Sequence, residues 1–435
     1  MKNYYNTLEI TKDADPAEIK KAYFKLIRRY SPEKEPDKFK EIREAYENLQ
    51  NDNYRKEFER IQRIPSPFKE VYQCARDYEK KDQFQSAINT CREGLAVDPK
   101  QIELNLYLAR LYLSNEEPGK AIKILEKCLK DNDDASGRID GLLAIAYEKR
   151  GWNKKASVQF EKAYHMGTRD EEFIILYAQN LYFQEKYEPA KILLLELLDS
   201  SPSGISDSNE LNRDLFTYLA LVYLQLGSDE KGEFYKRMEA FMEKTPGKSE
   251  LCKKLLVHIL VVVTEEFHIQ EHDSDILKDI TALLKRYKDL SQEQSLHLYH
   301  GEFLIEETEI YRDQRIGETI EEAAGLFFSV ELMKNNLPFI YEDVEIALLE
   351  MKLIIIDEFK ELKKELDIIV NEYPLLNAAM KDFLNELGRN DNKAFLFSKY
   401  EKKYCKLAGY PSGSHLVRNR EEWDESDEET EEEYD

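Results

Sequence analysis

Two series of alanines recur through residues 75–190 at a nearly constant period. Ala75, Ala109, Ala144 and Ala178 are spaced by 34, 35 and 34 residues. A second alanine follows each one in step: Ala87, Ala121, Ala156 and Ala190. Tyr78, Tyr112 and Tyr147 stand three residues after the first three, and Leu181 takes that place in the fourth. Small residues at a fixed long period mark points where packed elements approach closely. A unit of this length cannot bury its own apolar face, so neighbouring units must stack.

The rest of each unit reads as two helices. Gly151-Trp152 marks the turn in the third unit, Phe160 and Ala163 continue its second helix, and Pro99 and Pro202 close the first and fourth units. A fifth unit follows an insertion at Ser200–Asn212, with Ala220, Tyr223, Leu226-Gly227 and Gly232 as its marks. The pattern resembles the tetratricopeptide repeat (TPR), and the resemblance implies a helical solenoid over residues 68–247 that binds a peptide or protein in its groove. In one family mode, lysine, asparagine and arginine clamp an acidic C-terminus. The corresponding places here hold Tyr72, Arg76, Tyr107, Arg138 and Leu142. Only the arginines suit an anionic peptide. The tyrosines read either as a groove lining for partly unfolded segments or as packing residues.

The N-terminal segment has a different pattern. Asp15 before Pro16 is a helix start, and Ile19, Ala22, Tyr23, Leu26 and Ile27 make one apolar face. Phe39, Ile42, Ala45, Tyr46 and Leu49 give a second helix the complementary face, entered near Glu35-Pro36. The two should pack antiparallel, closed by a short helix at Tyr54–Arg63. With the opening Tyr4-Tyr5-Asn6-Thr7-Leu8, residues 1–64 resemble the J-domain that drives ATP hydrolysis on DnaK-type heat-shock chaperones. The resemblance implies a helix carrying a basic docking face, here Lys20, Lys21, Tyr23, Lys25, Arg28 and Arg29. It also implies a His-Pro-Asp tripeptide after that helix, and Ser31-Pro32-Glu33 stands there instead. Serine presents no imidazole, and glutamate moves its carboxylate by one methylene. The resemblance therefore predicts docking with weakened or absent stimulation.

Composition limits the remaining choices. A net charge of −24 argues against nucleic acid as the main partner. The start carries no apolar signal segment, and the apolar run Leu255–Val263 is too short to span a membrane, so a cytoplasmic protein is expected. The five cysteines are widely spaced without a CxxC and read as buried thiols. His268 and His272 would share a helix face, but two ligands without a third make a weak metal site, so no metal and no cofactor are expected. No phosphate-cradling glycine loop or nucleophile elbow is present, which points away from an enzyme. Amphipathic segments Leu251–Phe267, Asp275–Tyr287, Ile320–Asn335, Ile340–Val370 and Pro374–Leu387 make residues 248–408 a helical region of degenerate repeats or a cap. In Glu421–Asp435, 11 of 15 residues are acidic, so residues 409–435 read as a disordered tail. The chain is expected to be all-α and to act as a co-chaperone or chaperone-linked scaffold. The alternative is a TPR interaction scaffold with a purely structural J-like module.

Overall fold

A computed structural model describes residues 4–11, 14–32, 35–49, 64–131, 137–200, 209–227, 232–243, 249–334, 344–389 and 393–410. Every regular element among them is an α-helix. The expected short helix Tyr54–Arg63 and the acidic tail lie outside the described residues. The chain divides into two compact units, Met1–Ser200 with Ile205–Leu211, and Ser201–Gly204 with Asn212–Asp435.

The first unit opens with helices α1 (Tyr4–Thr7), α2 (Pro16–Arg29) and α3 (Pro36–Leu49). A capping box fixes the start of α2. The Glu18 N–H donates to Asp15 Oδ1 at 2.7 Å, and the Asp15 N–H donates back to Glu18 Oε2 at 3.1 Å. Ile19 and Leu26 from α2 and Ile42, Ala45 and Leu49 from α3 are buried with Tyr5, Leu8 and Ala14. Tyr23 stacks on Tyr46 across the seam, 4.0 Å between ring centroids.

Four helix pairs follow. Their first helices are Ser66–Glu79, Ile102–Ser114, Arg138–Lys149 and Glu171–Tyr182. Their second helices are Phe84–Val97, Pro118–Asp131, Asn153–His165 and Tyr187–Ser200. All eight alanines of the two periodic series have no exposed surface, so the recurrence does mark the tight crossings. Gly94 shows how close the helices come: a Cβ there would lie 2.7 Å from Val71 and 2.8 Å from Leu104.

The turns inside the pairs share one geometry. A left-handed residue stands at Asp82, Glu116, Gly151 and Glu185, with φ of 57°, 57°, 77° and 59°. The next residue's N–H reaches back to the carbonyl of Tyr78, Tyr112, Tyr147 or Leu181. These are Schellman closures, which satisfy helix carbonyls that have no partner within the helix. The periodic aromatics therefore stand at the closing carbonyl of each first helix, and Tyr147 also meets Trp152 at 5.8 Å. Only the third turn uses glycine, and nothing lies within 4 Å of a Cβ built there. Left-handed backbone costs a non-glycine residue roughly 1–2 kcal/mol, partly offset by the freedom glycine loses on folding. Glu116→Gly is expected to stabilise by about 0.5 kcal/mol, and Gly151→Ala to destabilise by about as much. Midpoints of chemical denaturation check both signs.

The second unit holds the fifth pair from Asn212 onward, the helices of the pair being Asn209–Leu226 and Glu233–Glu243. Ala220 and Tyr223 are buried there, and Gly227 and Gly232 take left-handed φ of 70° and 74°. Among the described residues eight further helices follow, from Ser249–Glu265 to Lys393–Leu407. Two of them, Gln292–Tyr311 and Lys393–Leu407, were not expected from periodicity. The segment read as Ile340–Val370 is two helices, Val344–Asp357 and Phe359–Glu372, divided at Glu358. Residues 340–343 lie outside the described residues. Phe303 stacks on Phe328 at 4.3 Å in the core of this region. Glu306 caps a distant helix: its carboxylate accepts the N–H groups of Leu375 and Leu376 at 3.1 and 2.7 Å.

Candidate functional site

Helix α2 separates its residues cleanly. The apolar face is spent on the seam with α3, and Tyr23 is half-buried by its stack on Tyr46. The other side carries Lys20, Lys21, Lys25, Arg28 and Arg29, all exposed. None of the five side chains forms an ion pair or hydrogen bond with a described residue, although the Arg29 guanidinium lies 5.3 Å from the Tyr30 ring centroid. Phe24 stands among them with 44% of its surface exposed. It is three and four residues from Lys21 and Lys20 and four from Arg28, so all four share a helix face. Sequence periodicity did not single out Phe24, although it falls off the apolar face of α2 and could have been noticed for that reason.

The turn after α2 is tied down locally. The Glu35 N–H donates to the Ser31 carbonyl at 3.0 Å. Lys38 pairs with Glu35 at 2.7 Å and lies 4.7 Å from the Tyr30 ring centroid. Ser31 is half-buried and Pro32 is exposed, while Glu33 lies outside the described residues. A small hydroxyl thus stands in the turn that follows the basic helix. It can exchange hydrogen bonds but cannot supply an imidazole.

The solenoid candidates sit differently. Tyr72 and Tyr107 are 1% and 6% exposed, with ring centroids 4.4 Å apart, joining the first helices of the first two pairs. The Tyr107 hydroxyl donates to Glu79 at 2.6 Å, and burial followed by that carboxylate holds it well above the usual phenol range. Arg138 forms a fork with Glu103, 2.8 and 2.6 Å, linking the second and third pairs. Leu142 is buried and Arg76 is half-exposed. The structure thus joins Tyr72 to Tyr107 across the first two repeats and ties Arg138 to Glu103 across the second and third.

The His268 N–H donates to Nδ1 of His272 at 2.9 Å, which uses one ring nitrogen of that pair. Among the described residues no group of three or more side chains is arranged to hold a metal ion. No helix of the described residues is long and apolar enough to cross a membrane. All five cysteines are free, and four are buried. Cys74 departs from the expectation, because it falls on the exposed side of Ser66–Glu79.

Comparison with known proteins agrees with this division. Residues 3–59 match the family described as the DnaJ domain, and residues 80–146 match the tetratricopeptide repeat. The chaperone protein DnaJ of Chlorobaculum tepidum is 46% identical over 66 residues, 14% of this chain and 16% of its own length. That of Hydrogenobacter thermophilus is 34% identical over 122 residues, 27% of this chain and 32% of its own. DnaJ homolog subfamily B member 9 of Rattus norvegicus is 49% identical over 65 residues, 14% and 29%. The chain thus spans between about a sixth and a third of the length of these relatives. Among solved structures, MamA covers 40% of this chain and 96% of its own at 19% identity and a TM-score of 0.33. YrrB, described as a TPR protein with an unusual peptide-binding site, covers 48% and 96% at 15% identity and a TM-score of 0.32. The chain joins a J domain to TPR repeats, modules that are typically not enzymes.

Proposed function

We propose that this chain is a co-chaperone that docks a DnaK-type chaperone through α2 and stimulates its ATP turnover weakly or not at all. The observation that carries the reading is the α2 face. Its five exposed cations pair with no described residue, and three of them, Lys20, Lys21 and Arg28, share a helix face with the exposed Phe24, which makes a basic surface with an apolar centre. An exposed ion pair contributes only about 0.2–1 kcal/mol, so an acidic partner surface must engage several together. Phe24 gives that contact an apolar anchor of the kind that dominates binding energy at interfaces.

Docking and stimulation then separate. Docking uses Lys20, Lys21, Lys25, Arg28, Arg29 and Phe24, with Tyr23 holding the helix on α3. Stimulation in the J-domain frame uses the tripeptide, and Ser31 lacks the ring that occupies its first position. The TPR repeats supply a second contact, to a peptide or protein ligand. Arg76 and Arg138 retain exposed surface for it, with Arg138 already half-neutralised by Glu103. A purely structural J module in a TPR scaffold is the second reading, and the loss of the histidine at Ser31 is what favours it.

Single-turnover ATP hydrolysis by a DnaK-type chaperone, with and without the full chain, tests the proposal. The expected result is a rate close to that of the chaperone alone. Acceleration matching an ordinary J-protein would contradict it.

A further inference from the structure

One of the four turns inside the helix pairs of the first unit differs in charge from the rest. Residues 148–155, around Gly151, hold Lys149, Arg150, Lys154 and Lys155 against one carboxylate, Glu148. In the equivalent stretches 79–86, 113–120 and 182–189, acidic residues equal or outnumber basic ones. Glu148 is already engaged, since its carboxylate accepts the Asn180 side-chain N–H at 2.7 Å. All four cations are exposed, and the side chains of Lys149, Arg150 and Lys154 pair with no described residue. Trp152 stands among them, 43% exposed. The Lys155 ammonium lies 4.4 Å from its ring centroid and 5.5 Å from that of Tyr147, which holds one cation beside the indole.

The adjoining turn is fastened to this one. The Gln184 side-chain N–H groups donate to Ser157 Oγ at 2.8 Å and to Asn180 Oδ1 at 2.6 Å, and the Ser157 hydroxyl donates to Asn180 Oδ1 at 2.8 Å. With Asn180 bound to Glu148, these bonds tie both helices of the third pair to the turn of the fourth. That turn presents Phe183, 62% exposed. Groups held in place before a ligand arrives lose less freedom on binding it.

We propose that the turn around Gly151 docks an acidic segment of a partner protein that carries an aromatic side chain among its carboxylates. The carboxylates meet Lys149, Arg150 and Lys154, and the aromatic ring lies against Trp152. At physiological salt, charges beyond about 8 Å are screened, so the local excess of cations decides what the turn attracts, not the net charge of −24. Nucleic acid fits less well. Its backbone is tracked by a groove lined with cations over several nucleotides, whereas these cations fall within one turn. The site is also separate from the groove candidates. Arg138 begins the helix that Lys149 ends, which sets the two about 17 Å apart along its axis.

Trp152 and Trp423 are the chain's two tryptophans. In the full chain carrying Trp423→Phe, indole emission therefore reports this turn and is silent to ligands on α2. The probe is a synthetic peptide of glutamates around one central phenylalanine. The expected result is a saturable change in Trp152 emission at low salt, with affinity falling as salt rises. Lys149→Glu with Arg150→Glu should weaken binding about tenfold or more, and so should a peptide with glutamate in place of the phenylalanine. Lys80→Glu with Lys81→Glu, on the first turn, should leave it unchanged. No change in emission at low salt, or equal binding by the Lys149 and Arg150 variant, would overturn the site. Equal or tighter binding of an oligothymidylate of the same charge would overturn the acidic segment. An emission change that rises with chain concentration alone would assign the turn to a second copy and overturn the separate partner.

Discussion

Phe160→Ala is expected to destabilise the first unit by about 3–5 kcal/mol, the range for removing a fully buried aromatic. Phe160 has no exposed surface and lies on the second helix of the third pair. Its ring centroid is 5.5 Å from Phe173 and 5.4 Å from Tyr177, both on the first helix of the fourth pair. The substitution therefore opens a cavity at the joint between two repeats. Stacked repeats owe their stability to such joints, so the loss should spread to both neighbours. Ala144→Leu attacks the same stack from the opposite side, by overpacking a tight crossing, at about 1–3 kcal/mol. Val158→Ala is the control: Val158 shares the Phe160 helix but is 65% exposed, and should change stability by under about 0.5 kcal/mol. Equilibrium denaturation followed by helical signal measures all three. Equal effects at Phe160 and Val158 would mean that the joint is placed wrongly.

The second large effect concerns activity. Ser31→His combined with Glu33→Asp is expected to raise chaperone ATP turnover by about tenfold to a hundredfold over the unaltered chain. The seam of Ile19, Leu26, Ile42 and Ala45 is intact, and the cations on α2 are exposed. The helix pair on either side of the turn is therefore packed, and a contact misplaced by about 1 Å can cost a hundredfold. Single-turnover hydrolysis reads the gain. No gain, with binding retained, would locate a further defect in the turn that Lys38 and Glu35 hold.

The repeats were legible because their physics is periodic. An alanine with no exposed surface at every crossing leaves a trace that survives in a single sequence, and the capping pair Asp15 and Glu18 is equally local. The turn geometry was read only at Gly151, since Asp82, Glu116 and Glu185 hold the same left-handed backbone without the residue that advertises it. Helix Gln292–Tyr311 escaped notice for a different reason. It buries Gly301, Glu306 and Thr308 along with Phe303 and Ile310, so its apolar residues do not form one stripe. The cations of α2 could be read from composition along the helix. That they pair with no described residue, and that Phe24 is exposed, could not, because both depend on what the rest of the fold leaves uncovered. The engagement of Arg138 by Glu103 likewise joins residues from different repeats and has no local signature.

Binding of the full chain to a DnaK-type chaperone in the ATP state, titrated at low and at physiological salt, tests the central claim most directly. The account predicts saturable binding that weakens as salt rises, since exposed charges are screened. Lys25→Glu with Arg28→Glu should weaken it about tenfold or more, the sum of two lost pairs and their repulsion. Phe24→Ala should weaken it without changing the salt dependence. No binding at low salt, or equal binding by the charge-reversed chain, would contradict a docking role for α2 and leave the N-terminal module as a structural part of a TPR scaffold.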